Sequence, residues 1–153
     1  MADKKSRAFQ EVEEDHAGIR QHIGELREVL MREVRPEKFS DWRLEFMWQL
    51  RDFKNRLLKH FDLEEEGGFM REVLEAAPHT SREVQELKDE HQSLIRRLDE
   101  FLAVLKAMEH KDPEKLQTLR IELDDMVSQL RRHENREHIL MQKAYYREYG
   151  GDD

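Results

Sequence analysis

His60 and Glu64, in the stretch His-Phe-Asp-Leu-Glu, are four residues apart, and so are His133 and Glu137 in His-Glu-Asn-Arg-Glu. On a helix, residues four apart share a face with their β-carbons about 6 Å apart, so an imidazole nitrogen and a carboxylate oxygen can hold one cation between them. Nitrogen and oxygen donors without sulfur suit iron, manganese or zinc. Sulfur is excluded here, because the chain has no cysteine; disulfides and cysteine nucleophiles are excluded with it. Two further histidines, His16 and His91, stand alone, and their part depends on the elements that carry them.

Those elements are helices. Of 153 residues 41 % are charged, with only six glycines and three prolines. Long runs of Glu, Lys, Arg, Leu and Met favour helix, and no stretch alternates apolar with polar residues as a strand would. The breakers divide the chain. Pro36 ends a first helix predicted over about residues 7–34. Ser40 and Asp41 are candidate N-caps of a second, which closes at Gly67-Gly68. Phe69–Ala76 forms a short extra helix ended by Pro78. Thr80-Ser81-Arg82-Glu83 reads as a capping box opening the third long helix. Asp112-Pro113 reads as an N-cap with proline at the first position of the fourth, which runs to about Tyr146 before Gly150-Gly151. Three connections, two of them short, predict an all-α, antiparallel up-down-up-down four-helix bundle, with the short helix between the second and third. Residues 1–153 read as a single domain.

A stripe of spacing three and four runs along each long helix. It takes in Phe9, Val12, His16, Ile19, Ile23, Leu26 and Leu30 on the first. The second contributes Phe46, Leu50, Phe53, Leu57, His60 and Glu64, and extending it back one turn meets Arg43, which is expected to reach water. The third carries Val84, Leu87, His91, Leu94, Leu98, Phe101, Leu105 and Met108. The fourth carries Leu116, Leu119, Leu123, Met126, Leu130, His133, Glu137, Leu140 and Ala144. Six positions break the apolar rule: His16, His60, Glu64, His91, His133 and Glu137. His16 lies 20 residues before Pro36 and His60 lies 24 after it; His91 and His133 each lie 21 from Asp112. At about 1.5 Å per residue these offsets agree within about one turn, so an antiparallel bundle brings all six to one level, near the end that carries the termini and the 67–80 connection.

A lone histidine in an apolar stripe is more often a hydrogen-bonded core residue than a ligand. Two His-x-x-x-Glu pairs matched by two more histidines reverse that balance. Buried carboxylates must be paired or bound to metal, and no Lys or Arg stands at a neighbouring stripe position. Four imidazoles cannot neutralise the two glutamates unless protonated, which burial disfavours; a pair of cations can. His22, His79 and His110 lie off the stripes and read as surface residues, Trp42 and Trp48 as packing residues. The pattern leaves open whether Tyr145 and Tyr146 face solvent or help close the site.

A formal charge of −8 argues against nucleic acid, whose phosphates need a basic excess. The longest apolar run, Phe101–Leu105, falls far short of the about 20 residues that span a bilayer. MADKKSRAF has no apolar segment behind its lysines and does not read as a signal peptide. The expectation is a cytoplasmic protein with no membrane and no nucleic-acid partner.

The constellation resembles the hemerythrin-like, HHE cation-binding family, through Asp15-His16, HFDLE at 60–64, EHQSL at 90–94 and HENRE at 133–137. The resemblance spans nearly the whole chain. It implies two non-haem iron ions, one held by His16 and His60 and the other by His91 and His133, bridged by Glu64, Glu137 and an oxo or hydroxo group. Two departures bear on activity. Oxygen carriers of the family have a His-x-x-x-His pair on the third long helix, whereas Leu87 and Ile95 stand four residues either side of His91. They also have an aspartate five residues after the last histidine, whereas here His138 holds that place; the stripe selects Glu137, while a locally overwound helix would bring His138 to the metal. By this count each iron has five ligands and one open position, which favours peroxide turnover, peroxidase- or catalase-like, over reversible O2 carriage. The resemblance implies O2, peroxide or nitric oxide as the small-molecule partner. A metal- or oxygen-responsive regulatory module, and an iron storage or donation protein, are the competing readings.

Overall fold

The computed structural model describes residues 6–149. Four long helices carry the chain: α1 (Arg7–Met31), α2 (Phe39–Glu66), α4 (Ser81–Ala107) and α5 (Pro113–Tyr149), with the short α3 (Phe69–Ala76) between α2 and α4. No strand occurs among the described residues. Helix α1 packs on α2 and α5, and α4 packs on the same two. The long helices therefore form the all-α, up-down-up-down bundle that the stripes predict, with α2 and α5 on its diagonal.

The ends of the helices show where local signals prevailed and where packing did. Gly67 caps α2, and Gly68 turns the chain at φ 104°, a left-handed conformation that glycine adopts without a steric penalty. Asp112 Oδ1 accepts from the amides of Glu114 and Lys115 at 3.1 and 3.2 Å, the N-cap expected there. Three boundaries differ from expectation. α1 ends at Met31 rather than near residue 34, because proline disfavours helix in the residue before it and the chain is already extended at Arg35; Val34 is thereby buried at the base of the core. Ser40 and Asp41 do not cap α2. A 3-10 turn over Pro36–Lys38 leads straight into Phe39, whose ring is buried, and Asp41 lies in the first turn. Thr80 forms no capping box: its hydroxyl donates to the Ala77 carbonyl at 2.7 Å, closing the Pro78–Thr80 turn instead. The expected stop at Gly150-Gly151 lies outside the described residues.

Every stripe position named above is buried. The apolar ones form two clusters. The larger runs from Ile19 to Leu130 through Phe46, Phe53, Leu98 and Leu123; the smaller joins Phe9, Val12, Phe69, Met70, Val73, Val84, Leu87 and Leu140. Helix α3 thus covers one end of the bundle with Phe69, Met70 and Val73, while Leu74 is half-buried against them. Trp42 packs inside and donates to the Val29 carbonyl at 2.8 Å. Trp48, expected to pack, is 64 % exposed, because it lies off the stripe of α2. Arg43 does not simply reach water either; its guanidinium donates to the carbonyls of Lys106 and Met108 at the end of α4.

Candidate metal centre

The six residues that break the apolar stripes meet in one layer, each at most 6 % exposed. The layer lies between the two apolar clusters. Each long helix contributes at the phase that its apolar neighbours dictate: His16 from α1 between Val12 and Ile19, His60 and Glu64 from α2 after Leu57, His91 from α4 between Leu87 and Leu94, His133 and Glu137 from α5 between Leu130 and Leu140.

The side chains form two matched halves. The rings of His16 and His60 have centroids 4.9 Å apart, as do those of His91 and His133. Both carboxylates span the halves. Glu64 places Oε2 3.0 Å from His60 Nε2 and Oε1 2.8 Å from His91 Nε2. Glu137 places Oε1 2.9 Å from His16 Nε2 and Oε2 2.9 Å from His133 Nε2. Two groups of potential ligand atoms result, His16, His60, Glu64 and Glu137 on one side and Glu64, His91, His133 and Glu137 on the other, with the atoms of each group within 4.8 Å of one another.

Most of these inward atoms are buried without a directed hydrogen bond. Nε2 of His60, His91 and His133, both oxygens of Glu64 and Oε2 of Glu137 are all in this state. Buried polar atoms left so are costly, and a metal ion in each half would satisfy them. The donor set, four imidazole nitrogens and two carboxylates, fits iron, manganese or zinc. His138 stands outside: its side chain is half exposed and its Nδ1 lies 3.9 Å from Glu13. His79 and His110 are exposed, as expected, whereas His22 is half-buried with its ring 5.3 Å from that of Phe53. Tyr145 is half-buried, and the side chain of Tyr146 lies outside the described residues.

A ring of carboxylates escaped sequence reasoning. His60 Nδ1–H donates to Asp15 at 2.7 Å, His91 Nδ1–H to Glu65 at 2.6 Å and His133 Nδ1–H to Glu90 at 2.8 Å. Because a carboxylate only accepts, each bond fixes a proton on Nδ1 and turns Nε2 inward, the orientation typical of metal-bound histidines. Every one of these carboxylates precedes or follows a layer residue in sequence, and that adjacency was the available signal. Arg56 holds Asp15 in turn, at 3.3 Å. Phe61, also missed, lies flat on His91, with centroids 3.9 Å apart and planes within 10°.

The electrostatics follow from this crowding. Burial and the adjacent Glu64 charge push Glu137 well above the usual carboxylate range. At Glu64 burial acts in the same direction, but contacts with Glu137 and the imidazoles of His16, His60 and His91 outweigh it and hold the group well below that range. Without metal, the pair accordingly keeps one carboxyl protonated, as two close carboxylates in a dry site must. Burial alone would lower the pKa of His60; Asp15 and Glu64 bring it up to about 9. The bond from His133 brings Glu90 down to about 2, while burial lowers His133 itself.

A helical bundle whose core holds two His/Glu groups sharing both glutamates is, by fold and site, a cation-binding domain. The chain belongs to the hemerythrin family: residues 7–144 match the family model of the hemerythrin HHE cation binding domain. Neither curated proteins nor solved structures give a significant match. No helix among the described residues is long and apolar enough to cross a membrane.

Proposed function

We propose that the chain binds two non-haem iron ions with an oxo or hydroxo bridge, and that it consumes peroxide rather than carrying O2. The observation that carries this reading is the symmetry of the layer. Each half offers two imidazoles and one oxygen from each glutamate, so neither metal is given a ligand that the other lacks. The buried Leu87, one turn before His91, offers no ligand where an oxygen carrier of the family has a further histidine. Two irons held here would supply the redox equivalents for disproportionation, in which two H2O2 give two H2O and one O2. The chain contributes the rest. Asp15, Glu65 and Glu90 aim three of the imidazoles, Glu64 and Glu137 hold the two halves in register, and Phe61 with helix α3 keeps bulk water from the layer.

The test is metal analysis of protein purified without added metal, joined with an absorption spectrum and with oxygen evolution after addition of peroxide. Two irons per chain and O2 release from peroxide are expected. A long-lived oxy form that releases O2 intact, with no peroxide consumed by the oxidised protein, would establish carriage instead. Manganese in place of iron would overturn the metal assignment while leaving the six ligands in place. Stoichiometric metal with neither reaction would favour a regulatory or storage role.

A further inference from the structure

The two halves of the layer match in ligands but not in what covers them. The residue after the histidine of each His-x-x-x-Glu pair occupies the same place on α2 and on α5. On α2 it is Phe61, which lies flat on the His91 ring and lines with it a cleft of about 480 Å³, but offers no polar atom there. On α5 it is Glu134, which lines a cleft of about 450 Å³ together with His16, Arg20, Arg131 and His138. His16 is, at 6 %, the most exposed of the six layer residues.

The state of Glu134 is unusual. The residue is 9 % exposed, and its Oε2 is buried with no hydrogen-bond partner. Its Oε1 lies 3.6 Å from Arg20, whose side chain is more than half exposed. Around the bundle, α1 lends Asp15 to His60, α2 lends Glu65 to His91, and α4 lends Glu90 to His133. Glu134 stands next to a layer residue as those three do, yet makes no such bond. A buried carboxylate oxygen without a donor has much to gain from a ligand that brings one.

We propose that this cleft is the entrance to the metal layer, and that Glu134 Oε2 is the acceptor that holds an incoming protic ligand, hydrogen peroxide above all, beside His16. The proposal rests on the metal reading given above. Hydrogen peroxide is small, uncharged and carries two O–H donors, so one can bond Glu134 while the other oxygen faces the layer. O2 and nitric oxide bring no donor and gain nothing from Glu134; azide, an anion without a donor, gains nothing either. Glu134 is in this sense a specificity residue, separating protic from aprotic ligands that fit the same space.

The experiment uses the metal-loaded full-length chain with two probes, peroxide and azide. Peroxide affinity is read as KM or, if there is no turnover, from the spectral change on binding; azide affinity and binding rate are read from its visible band. Glu134→Leu should keep two metals per chain, weaken peroxide about tenfold, as the loss of one charge-assisted hydrogen bond predicts, and leave azide affinity unchanged or raised, since a negative charge beside the anion is gone. Glu134→Gln, whose amide oxygen still accepts, should fall between. Glu134→Phe, which copies the residue at the matching place on α2, should slow azide binding, while Phe61→Ala should not speed it. Parallel losses of peroxide and azide in Glu134→Leu, or no change in either, would overturn the acceptor role. Loss of metal in Glu134→Gln would show that the carboxylate serves the metal instead. Azide binding faster in Phe61→Ala and unaltered in Glu134→Phe would place the entrance on the other side. A wild-type chain that binds no metal would sink the underlying reading itself, and a chain that binds peroxide through Glu134 without consuming it would sink only the proposed turnover.

Discussion

At Glu137 and His138 two potential ligands are adjacent in sequence and about 100° apart around the helix axis. Glu137 is fully buried with an oxygen 2.9 Å from His133 Nε2, whereas His138 is half exposed. Glu137→Ala is therefore expected to lower metal content below two per chain, and His138→Ala to leave it intact; metal analysis of the two variants decides, and the reverse result would move the ligand to His138. Glu90 acts one step further out. Glu90→Gln keeps the size of the side chain but replaces the charged acceptor of the His133 Nδ1–H. Such outer partners typically matter by about 10–100-fold in metal affinity, and a competition titration with a chelator should find a loss of that order. The contrast between these residues shows what the sequence discloses. His16, His60, Glu64, His91, His133 and Glu137 were legible because each interrupts a stripe in which everything else is apolar. Asp15, Glu65, Glu90 and Glu134 lie one position away from the layer residues, where a chain that is 41 % charged places carboxylates routinely. Nothing in their own spacing separates an acceptor for an imidazole from a solvated surface charge, and only the neighbouring helix decides.

Among the elements, glycine shows how differently one residue type can serve. Gly68 turns the chain between α2 and α3 at φ 104°, where a side chain is strained. Gly24 lies on the exposed side of α1 with nothing within 4 Å of an added β-carbon. Gly68→Ala should destabilise the fold by about 1 kcal/mol, and Gly24→Ala should stabilise it by about 0.5–1 kcal/mol through helix propensity alone. Melting temperatures moving in opposite directions by roughly 2–4 °C for a chain of this size are the expected readout; a shift of the same sign in both would contradict the assignment of either turn or helix. Gly18 has a third use. A β-carbon there would lie 2.0 Å from the Arg56 guanidinium, so its absence lets Arg56 cross α1 to reach Asp15, the partner of His60. Helix existence and phase were legible from breakers and periodicity. The caps at Ser40, Asp41 and Thr80 were not, because Pro36 and Pro78 each start a 3-10 turn that runs directly into the next helix and removes the extended N-cap residue on which a capping box depends.

Across the whole molecule, two apolar clusters stand on either side of a polar layer, and that layer must be satisfied if the clusters are to close on each other. Without metal it holds two carboxylates in a dry core, one of them kept protonated by burial and by its neighbour's charge. All four long helices meet there, so cations bound in the layer tie α1 and α2 to α4 and α5, a link that apolar packing alone leaves adjustable. Because the unfolded chain has no preformed site, metal affinity appears as folding stability. A ligand at 100 times its dissociation constant adds about 2.7 kcal/mol per site, so two sites each filled to that level add about 5 kcal/mol. For a chain of about 150 residues each kcal/mol moves the melting temperature by roughly 2–4 °C, so removal of both metals should lower it by roughly 10–20 °C. Calorimetric scans of metal-loaded and chelated protein at matched concentration give the comparison. The same scans on His60→Ala should show the low melting temperature with or without added metal, while His79→Ala, altered at an exposed turn, should respond like the wild type. Equal melting of loaded and stripped wild-type protein would mean that the layer is satisfied without cations, and the two clusters would then be joined by the histidine–carboxylate contacts alone.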